Sequence, residues 1–268
     1  MIAVLIASMV LASTASVQHV VSVASTTSAP QVVAISPTEG AIPANTLRLY
    51  VTFDRPARGM VATRDLRLVD AEGRTVDGAF MDFGQDLWSP DGRRLTVLFD
   101  PGRVKQDVEG DGDSAAPLRP GLSYTVEVGR KHFHYRVTPA LRTPVNPQTW
   151  GLALPNAGSR EALKITFDRE MDAALLRDQL GIVDDQGGFQ SGRVTVSASG
   201  RAWCWRPNHG WLPGAYRLVV GSSLEDVSGN RVGEALDHDV GKPDALSQGS
   251  VLLFKVGPRV VRQDAGAC

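Results

Sequence analysis

The 268-residue sequence predicts an all-β protein built from two tandem β-sandwiches. Three observations predict this class: apolar residues alternate with polar ones in short runs, turn residues separate the runs, and the order of the runs repeats once along the chain. Alternation places successive side chains on opposite faces of a strand, so one face is buried and the other meets water. Short strands at this spacing are typical of sandwiches.

The first residues predict export. Ile2 to Leu11 form an apolar run of about ten residues, half of the roughly 20 that a membrane-spanning helix needs. Ser13-Thr14-Ala15 resembles the small-residue site at which signal peptides are cleaved. We therefore interpret residues 1–15 as a cleavable signal peptide and residues 16–30, which lack charge, as a flexible tether. The alternative is an uncleaved N-terminal anchor or a buried strand.

Composition restricts the partners that we expect. The sequence has 28 Lys and Arg against 29 Asp and Glu, so its net charge is −1. A nearly neutral chain has no general attraction for nucleic acid or anionic lipid, and we expect no nucleic-acid partner. No later run is long enough to span a membrane, so the mature chain is expected in the periplasm, at the cell surface or outside the cell.

The strands are predicted from runs in which every second residue is apolar. In the first clear run, Leu47, Leu49, Val51 and Phe53 share one face. The same alternation recurs in four later runs: Leu95-Val97-Phe99, Tyr124-Val126-Val128, Leu163-Ile165-Phe167 and Tyr216-Leu218-Val220. The best helix candidate is Glu170 to Leu180, with one to three turns.

The repeat divides the chain into two copies of about 100 residues, the size of an immunoglobulin-like sandwich. Thr52-Phe53-Asp54-Arg55 recurs as Thr166-Phe167-Asp168-Arg169, and Pro120-Gly121 before Tyr124 recurs as Pro213-Gly214 before Tyr216. The predicted domains are residues 31–140 and 147–240, joined through the proline-rich connector Thr138 to Pro147. Residues 241–268 form a C-terminal tail in which Ser250 to Val256 could add a strand.

A family resemblance follows from the order of these segments. Ile35-Ser36-Pro37 precedes a strand that ends in Thr-Phe-Asp, a Pro-Gly-x-x-Tyr strand comes later, and Asp226-Val227-Ser228-Gly229-Asn230 closes the second copy. This order resembles bacterial Ig-like domains of the S-layer SbsA type in tandem, over about residues 31–240. The first copy departs from the pattern after Gly129, where Lys131 to Val137 follows directly.

The resemblance implies two tandem Ig-like β-sandwiches on a secreted or cell-surface protein, used as a spacer or adhesion module without a catalytic site. An envelope protein or a glycan is the partner that such a module would have. From the residues themselves, no nucleophile elbow, zinc-protease motif, P-loop or dinucleotide fingerprint occurs in the sequence. We therefore expect a non-enzymatic structural, adhesion or interaction module. A calcium- or carbohydrate-binding module is the alternative, followed by a metal-dependent enzyme.

One acidic segment is a candidate calcium site. Asp107, Glu109, Asp111 and Asp113 alternate with small or apolar residues, and such carboxylates can wrap around Ca²⁺. No glutamate stands where a calcium loop would place its bidentate ligand, so a solvated acidic loop is the simpler interpretation. No other cofactor is expected.

Two further sets of polar or turn residues have structural interpretations. Asp226, Gly229 and Asn230 could touch a cation, but Gly229-Asn230 is more typical of a hairpin turn. Asp54 and Asp168 hold equivalent positions in the two copies, which indicates strand-end acids that fix the following turn.

A histidine pair offers a second metal hypothesis. His132 and His134 are two residues apart, so a strand would place both imidazoles on one face. A third ligand would have to come from the other copy: His209, His238, Asp237 or Asp239. Nothing in the sequence brings these groups together, so a polar strand face is the simpler interpretation.

The tryptophans are candidates for core packing or for exposed contacts, and the cysteines are candidates for a disulfide bond. Trp203 and Trp205 align with an inward-facing strand of the first copy and are predicted to lie in the core, whereas Trp88 and Trp150 flank loops and are better candidates for exposed contacts. The two cysteines are too few for a disulfide-dense scaffold. Cys204 and Cys268 could pair in an exported protein, but two free thiols, one of them buried, are the simpler expectation.

Overall fold

The computed structural model describes residues 28–100, 116–236 and 249–258. Among these residues the chain forms fifteen β-strands and three short 3-10 turns, and it forms no α-helix. The strands of the first half are β1 Val32–Ser36, β2 Gly40–Pro43, β3 Arg48–Phe53, β4 Leu66–Asp70, β5 Leu87–Trp88, β6 Arg94–Leu98, β7 Ser123–Val128 and β8 Lys131–Thr138. Those of the second half are β9 Gly151–Ala153, β10 Leu163–Thr166, β11 Leu180–Asp184, β12 Gly192–Val196, β13 Ala202–Pro207, β14 Gly214–Val220 and β15 Ser250–Val256. The prediction of an all-β chain is confirmed.

The first sandwich packs two four-stranded sheets face to face. Their strand orders are β1-β3-β6-β5 and β2-β8-β7-β4. The predicted inward face of β3 is confirmed, because Leu49, Val51 and Phe53 are at most 3% exposed and join one hydrophobic core with residues from both sheets.

The second sandwich has its own core and repeats the arrangement of the first. One sheet has the order β12-β13-β10-β9 and the other has β11-β14-β15. The repeat extends to the register: Asp70 of β4 lies opposite Tyr124 of β7, and Asp184 of β11 lies opposite Tyr216 of β14. In both copies the aspartate accepts backbone hydrogen bonds from the turn that follows.

The predicted helix over Glu170 to Leu180 is wrong. The structure has only a 3-10 turn there, Leu175–Arg177, and β11 already begins at Leu180. The physical reason is local, because Asp172 Oδ1 accepts hydrogen bonds from the backbone N–H groups of Ala174 and Leu175 at 2.9 and 3.2 Å. Such a side chain stabilises a tight turn in competition with a longer helix.

Aromatic side chains form much of the second core. Trp203 and Trp205 are 0% and 4% exposed, which confirms their predicted place in the core. Trp211 packs edge-on against both Trp205 and Tyr216, with ring centroids 5.2 and 5.1 Å apart.

Cys204 between Trp203 and Trp205 is disulfide-bonded, so the expectation of a free thiol at this position is wrong. The only other cysteine of the sequence, Cys268, lies outside the described residues.

No helix within the described part of the chain is long and apolar enough to cross a membrane.

Candidate functional site: the joint between the sandwiches

The two sandwiches meet through polar side chains, which we call the joint: Arg48 and Tyr50 of the first sandwich with Glu170, Asp172 and Glu225 of the second. Arg48 and Tyr50 lie on the face of β3 that alternation predicts to be wet. Tyr50 is nevertheless only 8% exposed, because its hydroxyl points at the second sandwich and donates a 2.6 Å hydrogen bond to Asp172 Oδ2. Burial, together with the Asp172 carboxylate, raises the pKa of the Tyr50 hydroxyl well above its ordinary value.

Arg48 neutralises the carboxylates that face it. Its Nη1 lies 3.4 Å from Asp172 Oδ2, and its Nη2 donates to Glu225 Oε2. The other oxygen of Glu225 accepts a 3.0 Å hydrogen bond from Arg231 Nε. Asp172 and Glu225 are 1% and 7% exposed, so both carboxylates depend on these cations for the interactions that they lose with water.

Glu170 is the most weakly compensated carboxylate of the joint. It is 7% exposed and accepts one hydrogen bond across the joint, from the Thr38 backbone N–H at 3.0 Å. Burial raises the pKa of Glu170 to about 7, and the Thr38 hydrogen bond and the charge of Arg201 oppose this shift only in part. Tyr135 is close enough that burial and the Glu170 charge raise the pKa of its hydroxyl, which donates to the Pro37 carbonyl at 2.9 Å.

The connector is held from both sides at Leu141. Its carbonyl accepts hydrogen bonds from Asn45 Nδ2 of the first sandwich and from Asn230 Nδ2 of the second, both at 2.9 Å. Its N–H donates to Asn45 Oδ1 at 2.8 Å. Nearby, the Leu47 N–H donates directly to the Val227 carbonyl at 2.9 Å. The path between the sandwiches is thus fixed by backbone groups as well as by charges.

Asp226 organises the loop that supports this side of the joint. Its Oδ1 accepts hydrogen bonds from the backbone N–H groups of Ser228 and Asn230, and its Oδ2 lies 3.2 Å from Arg169 Nη1. Gly229 has φ +78°, which confirms the predicted turn at this position. Burial raises the pKa of Asp226, and its hydrogen bonds with Asn230 oppose that shift. The carboxylate proposed as a cation contact is therefore engaged by the protein's own donors.

The joint is suited to fixing the orientation of one sandwich relative to the other. Its buried carboxylates each face named donors, so separating the sandwiches would leave charged groups without partners. Buried ion pairs add little net stability, yet breaking one by removing a single partner is strongly destabilising. Such a network therefore favours one relative orientation of the two sandwiches over others.

The structure does not join the histidine pair to other ligands. His132 and His134 are both exposed on β8, where His132 Nδ1 lies 3.4 Å from Glu127 Oε1 and His134 Nδ1 lies 3.0 Å from Thr125 Oγ1. Within the described ranges, no group of three or more His, Cys, Asp or Glu side chains is placed to hold a metal ion. Three of the proposed third ligands, Asp237, His238 and Asp239, lie outside the described residues.

The proposed calcium ligands Asp107, Glu109, Asp111 and Asp113 also lie outside the described residues, so that site remains a prediction from sequence.

The structure also differs from the expectations for Trp150, Trp88 and Asp54. Trp150 is only 6% exposed and packs edge-on against Phe167 with a centroid distance of 4.8 Å, so it is a core residue and not an exposed contact. Trp88 is half-buried against Phe53. Asp54 Oδ1 accepts from the Gln31 backbone N–H ahead of β1, and Asp54 Oδ2 accepts from the side chain of Arg55, so its contact with the following turn is to a side chain and not to the backbone.

Sequence reasoning missed the joint itself, although one signal was present. By the repeat, Tyr50 of the first copy corresponds to Lys164 of the second. A large aromatic residue on a face expected to be wet, where the other copy has a lysine, indicates a face that is covered in one copy only.

Comparison with known proteins adds little to this geometry. No family model and no curated protein matches the chain. Among solved structures, an L,D-transpeptidase from Mycobacterium smegmatis matches at 12% identity and a TM-score of 0.27, over 63% of this chain and 62% of that one. Titin Ig tandem domains match at 10% identity and a TM-score of 0.25, over 86% of this chain and 97% of that one. The N-terminal Ig1-2 module of the Drosophila receptor protein tyrosine phosphatase DLAR matches at 11% and 0.24, over 74% and 93%. TM-scores of this size establish neither common origin nor shared function, and the two-sandwich architecture follows from the sheets and cores themselves.

Proposed function

We propose that this chain is a non-enzymatic exported protein in which two β-sandwiches, fixed in one orientation by the joint, act as a structural or interaction module of the cell envelope. The observation that carries the proposal is the pairing of Arg48 and Tyr50 with Asp172 and Glu225. These are the best-connected buried polar groups between the sandwiches, and all of them are used to bind one sandwich to the other.

A fixed pair of sandwiches is useful as a spacer. Because the two cores are separate, each sandwich is stabilised within itself, and the joint is free to set the angle between them. A rigid pair presents its end loops and edge strands at a constant distance, which lowers the conformational entropy that a partner must remove on binding. The apolar run Ile2 to Leu11 supports export.

The geometry is tested by small-angle X-ray scattering of the full chain with Arg48→Ala. This substitution leaves Asp172 buried without its guanidinium, so we expect a wider distribution of interdomain distances while both sandwiches stay folded. Arg67→Ala is the matched control, because it removes an exposed pair with Glu127 inside the first sandwich. A scattering profile of Arg48→Ala identical to wild type contradicts a joint that fixes orientation.

The location is tested by fractionating cells that produce the chain with and without residues 1–15. The full chain is expected in the envelope or the medium, and the shortened chain in the cytosol. Cross-linking in the envelope fraction should then capture a partner with wild type and capture less of it with Arg48→Ala. Retention of the full chain in the cytosol contradicts the exported role.

A further inference from the structure

Among the described residues, the last strand of the second sandwich has no strand paired to its outer edge. The four sheets of the described residues have eight edge strands, and β15, with seven residues, is the longest of them. In β15 the residues Leu252, Phe254 and Val256 face the core and pair with β14, whereas Val251, Leu253 and Lys255 face outward. The Gly257 carbonyl accepts a hydrogen bond from Ala157 and so points away from β14. Because backbone groups alternate in direction along a strand, the N–H and C=O groups of these three outward residues point the same way, and they have no hydrogen-bond partner among the described residues.

The other edges are blunted in ways that oppose pairing with another chain. β1 carries a register shift between Val32 and Ala34, β2 ends in Pro43, and β5 and β9 have two and three residues. The chain folds back over β4 and β11, where Val76 and Gln190 donate to the carbonyls of Leu68 and Ile182. β12 is shorter, with five residues, and bears the charged Arg193. Natural proteins use such devices to prevent edge-to-edge association. β15 carries one of them, the exposed Lys255, but it is longer than the other edge strands and has neither a proline nor a register shift.

In the first sandwich, the edge that corresponds to β15 is covered by a parallel strand of its own chain. In the first sandwich β8 is the counterpart of β15, and its outer edge pairs with β2 along Tyr135 to Thr138. The next outward N–H of β8, that of His134, is capped by Glu39 Oε1 at 2.9 Å. In the described part of the second sandwich, the corresponding path meets the chain just after β15, where the Ala157 N–H donates to the Gly257 carbonyl at 3.0 Å.

The outward side chains of β15 are two apolar residues and one lysine, and their order is compatible with pairing to a second copy of the same strand. Leu253 is 78% exposed and Val251 is 48% exposed, and Phe189, 75% exposed, lies on the same outer face over Gly181. If two β15 strands pair antiparallel about Leu253, each Leu253 meets its copy, and each Lys255 lies opposite a Val251. No like charges face each other, and the outward N–H and C=O groups of all three residues are satisfied on both strands.

We propose that β15 is a self-association edge, on which a second copy of this chain adds its own β15 antiparallel about Leu253. The product is one continuous six-stranded sheet across a two-fold axis, a closed isologous dimer. The proposal does not depend on the joint, which involves other strands.

Sedimentation of the full chain over a range of concentrations tests this dimer, with two substitutions at one exposed position. Val251→Glu places a carboxylate opposite Lys255 of the second copy, and Val251→Lys places an ammonium there. Each cross-strand charge pair contributes about 0.2–1 kcal/mol and occurs twice, so we expect Val251→Glu to tighten the dimer and Val251→Lys to weaken it, each by roughly two- to thirty-fold.

Leu212→Lys is the matched control, because Leu212 is 72% exposed on a loop of the same sandwich, and its dimer should match that of wild type. Hydrogen exchange adds a second measurement, in which the amides of Val251, Leu253 and Lys255 become protected as concentration rises. A wild-type chain that stays monomeric throughout overturns the proposal. A dimer that responds equally to Val251→Glu and Val251→Lys also overturns it, because association then uses another surface or register.

Discussion

The hydroxyl of Tyr50 and the carboxylate of Asp172, 122 positions apart in the sequence, form a 2.6 Å hydrogen bond between the two sandwiches. Asp172 also closes the turn that begins at its own position, because its other oxygen accepts from the Ala174 and Leu175 N–H groups. One aspartate therefore shapes a loop of the second sandwich and binds the first. Local turn chemistry and interdomain geometry are coupled through this residue.

Tyr50→Phe should lower the free energy of unfolding by about 1–3 kcal/mol, because a buried carboxylate oxygen loses a donor and water does not replace it. The measurement is urea unfolding followed by tryptophan fluorescence. Tyr216→Phe is the control, since its hydroxyl donates to the carbonyl of the exposed Leu212, which water can serve instead. If the two variants lose the same free energy of unfolding, the buried Tyr50 hydrogen bond contributes no more to stability than the exposed Tyr216 hydrogen bond.

Glu170 predicts how stability depends on pH. Burial raises its pKa to about 7 from an ordinary 4.5, so the folded state binds this proton more tightly than the unfolded state. Stability from this group is therefore greatest in acid, falls as pH rises from about 4.5 to 7, and is constant above that. At about 1.4 kcal/mol per pKa unit, the loss is at most roughly 3 kcal/mol.

The check is urea unfolding of wild type and Glu170→Gln at pH 5 and pH 8. Arg201 is the charged group that acts on Glu170, and the Tyr135 hydroxyl, whose pKa is raised further above its ordinary value of 10.0, stays neutral between pH 5 and pH 8. Glu170→Gln should lose most of the wild-type difference between the two pH values and exceed wild type in stability at pH 8. Glu72→Gln, an exposed control, should keep the wild-type difference. A wild type that gains stability from pH 5 to pH 8 relative to Glu170→Gln reverses the predicted sign.

Much of the fold could be predicted from sequence because strand alternation is a local signal. Leu49, Val51 and Phe53 face the core as their spacing indicates, and Trp203 and Trp205 do so by their equivalence in the repeat. The helix prediction at Glu170 failed because the Asp172 side chain competes for backbone N–H groups, which periodicity does not register. The burial of Trp150 was missed because loop residues have no periodic signal.

The joint could not be predicted, for a different reason. The alternation of apolar and polar residues predicts which face of a strand packs inside its own sandwich. It gives no information about a second sandwich that covers the opposite face. Alternation therefore places Arg48 and Tyr50 on the wet face of β3, and no sequence pattern distinguishes Asp172 or Glu225 from other acids. Only the difference between Tyr50 and Lys164 in the two copies distinguished this face.

Asn45→Ala should release the connector. Asn45 is 2% exposed and makes two hydrogen bonds with Leu141, so its loss lowers the free energy of opening the connector by about 1–2 kcal/mol. Trypsin should then cleave after the exposed Arg142 roughly 5–30 times faster, as measured by mass spectrometry of the fragments. Asn208→Ala, at an exposed position, should leave the rate unchanged. Unaltered cleavage in Asn45→Ala would mean that the other contacts hold the connector without it.

Gly200→Ala tests how closely the backbone of the second sandwich supports the joint. Gly200 has φ +62°, and a Cβ there would lie 2.5 Å from the Met171 carbonyl oxygen, between Glu170 and Asp172. Gly158→Ala is the matched control, because its φ is also positive, at +77°, but its Cβ would meet nothing within 4 Å. The control should lose about 1–2 kcal/mol of stability from backbone strain alone.

Gly200→Ala should lose clearly more, since a backbone carbonyl must move to relieve the contact. That movement displaces the two carboxylates beside Met171, so the variant should also show the broadened scattering distribution expected of Arg48→Ala. If Gly200→Ala and Gly158→Ala lose the same stability, the Met171 backbone moves at no measurable cost. The turn at Gly200 then does not position the joint.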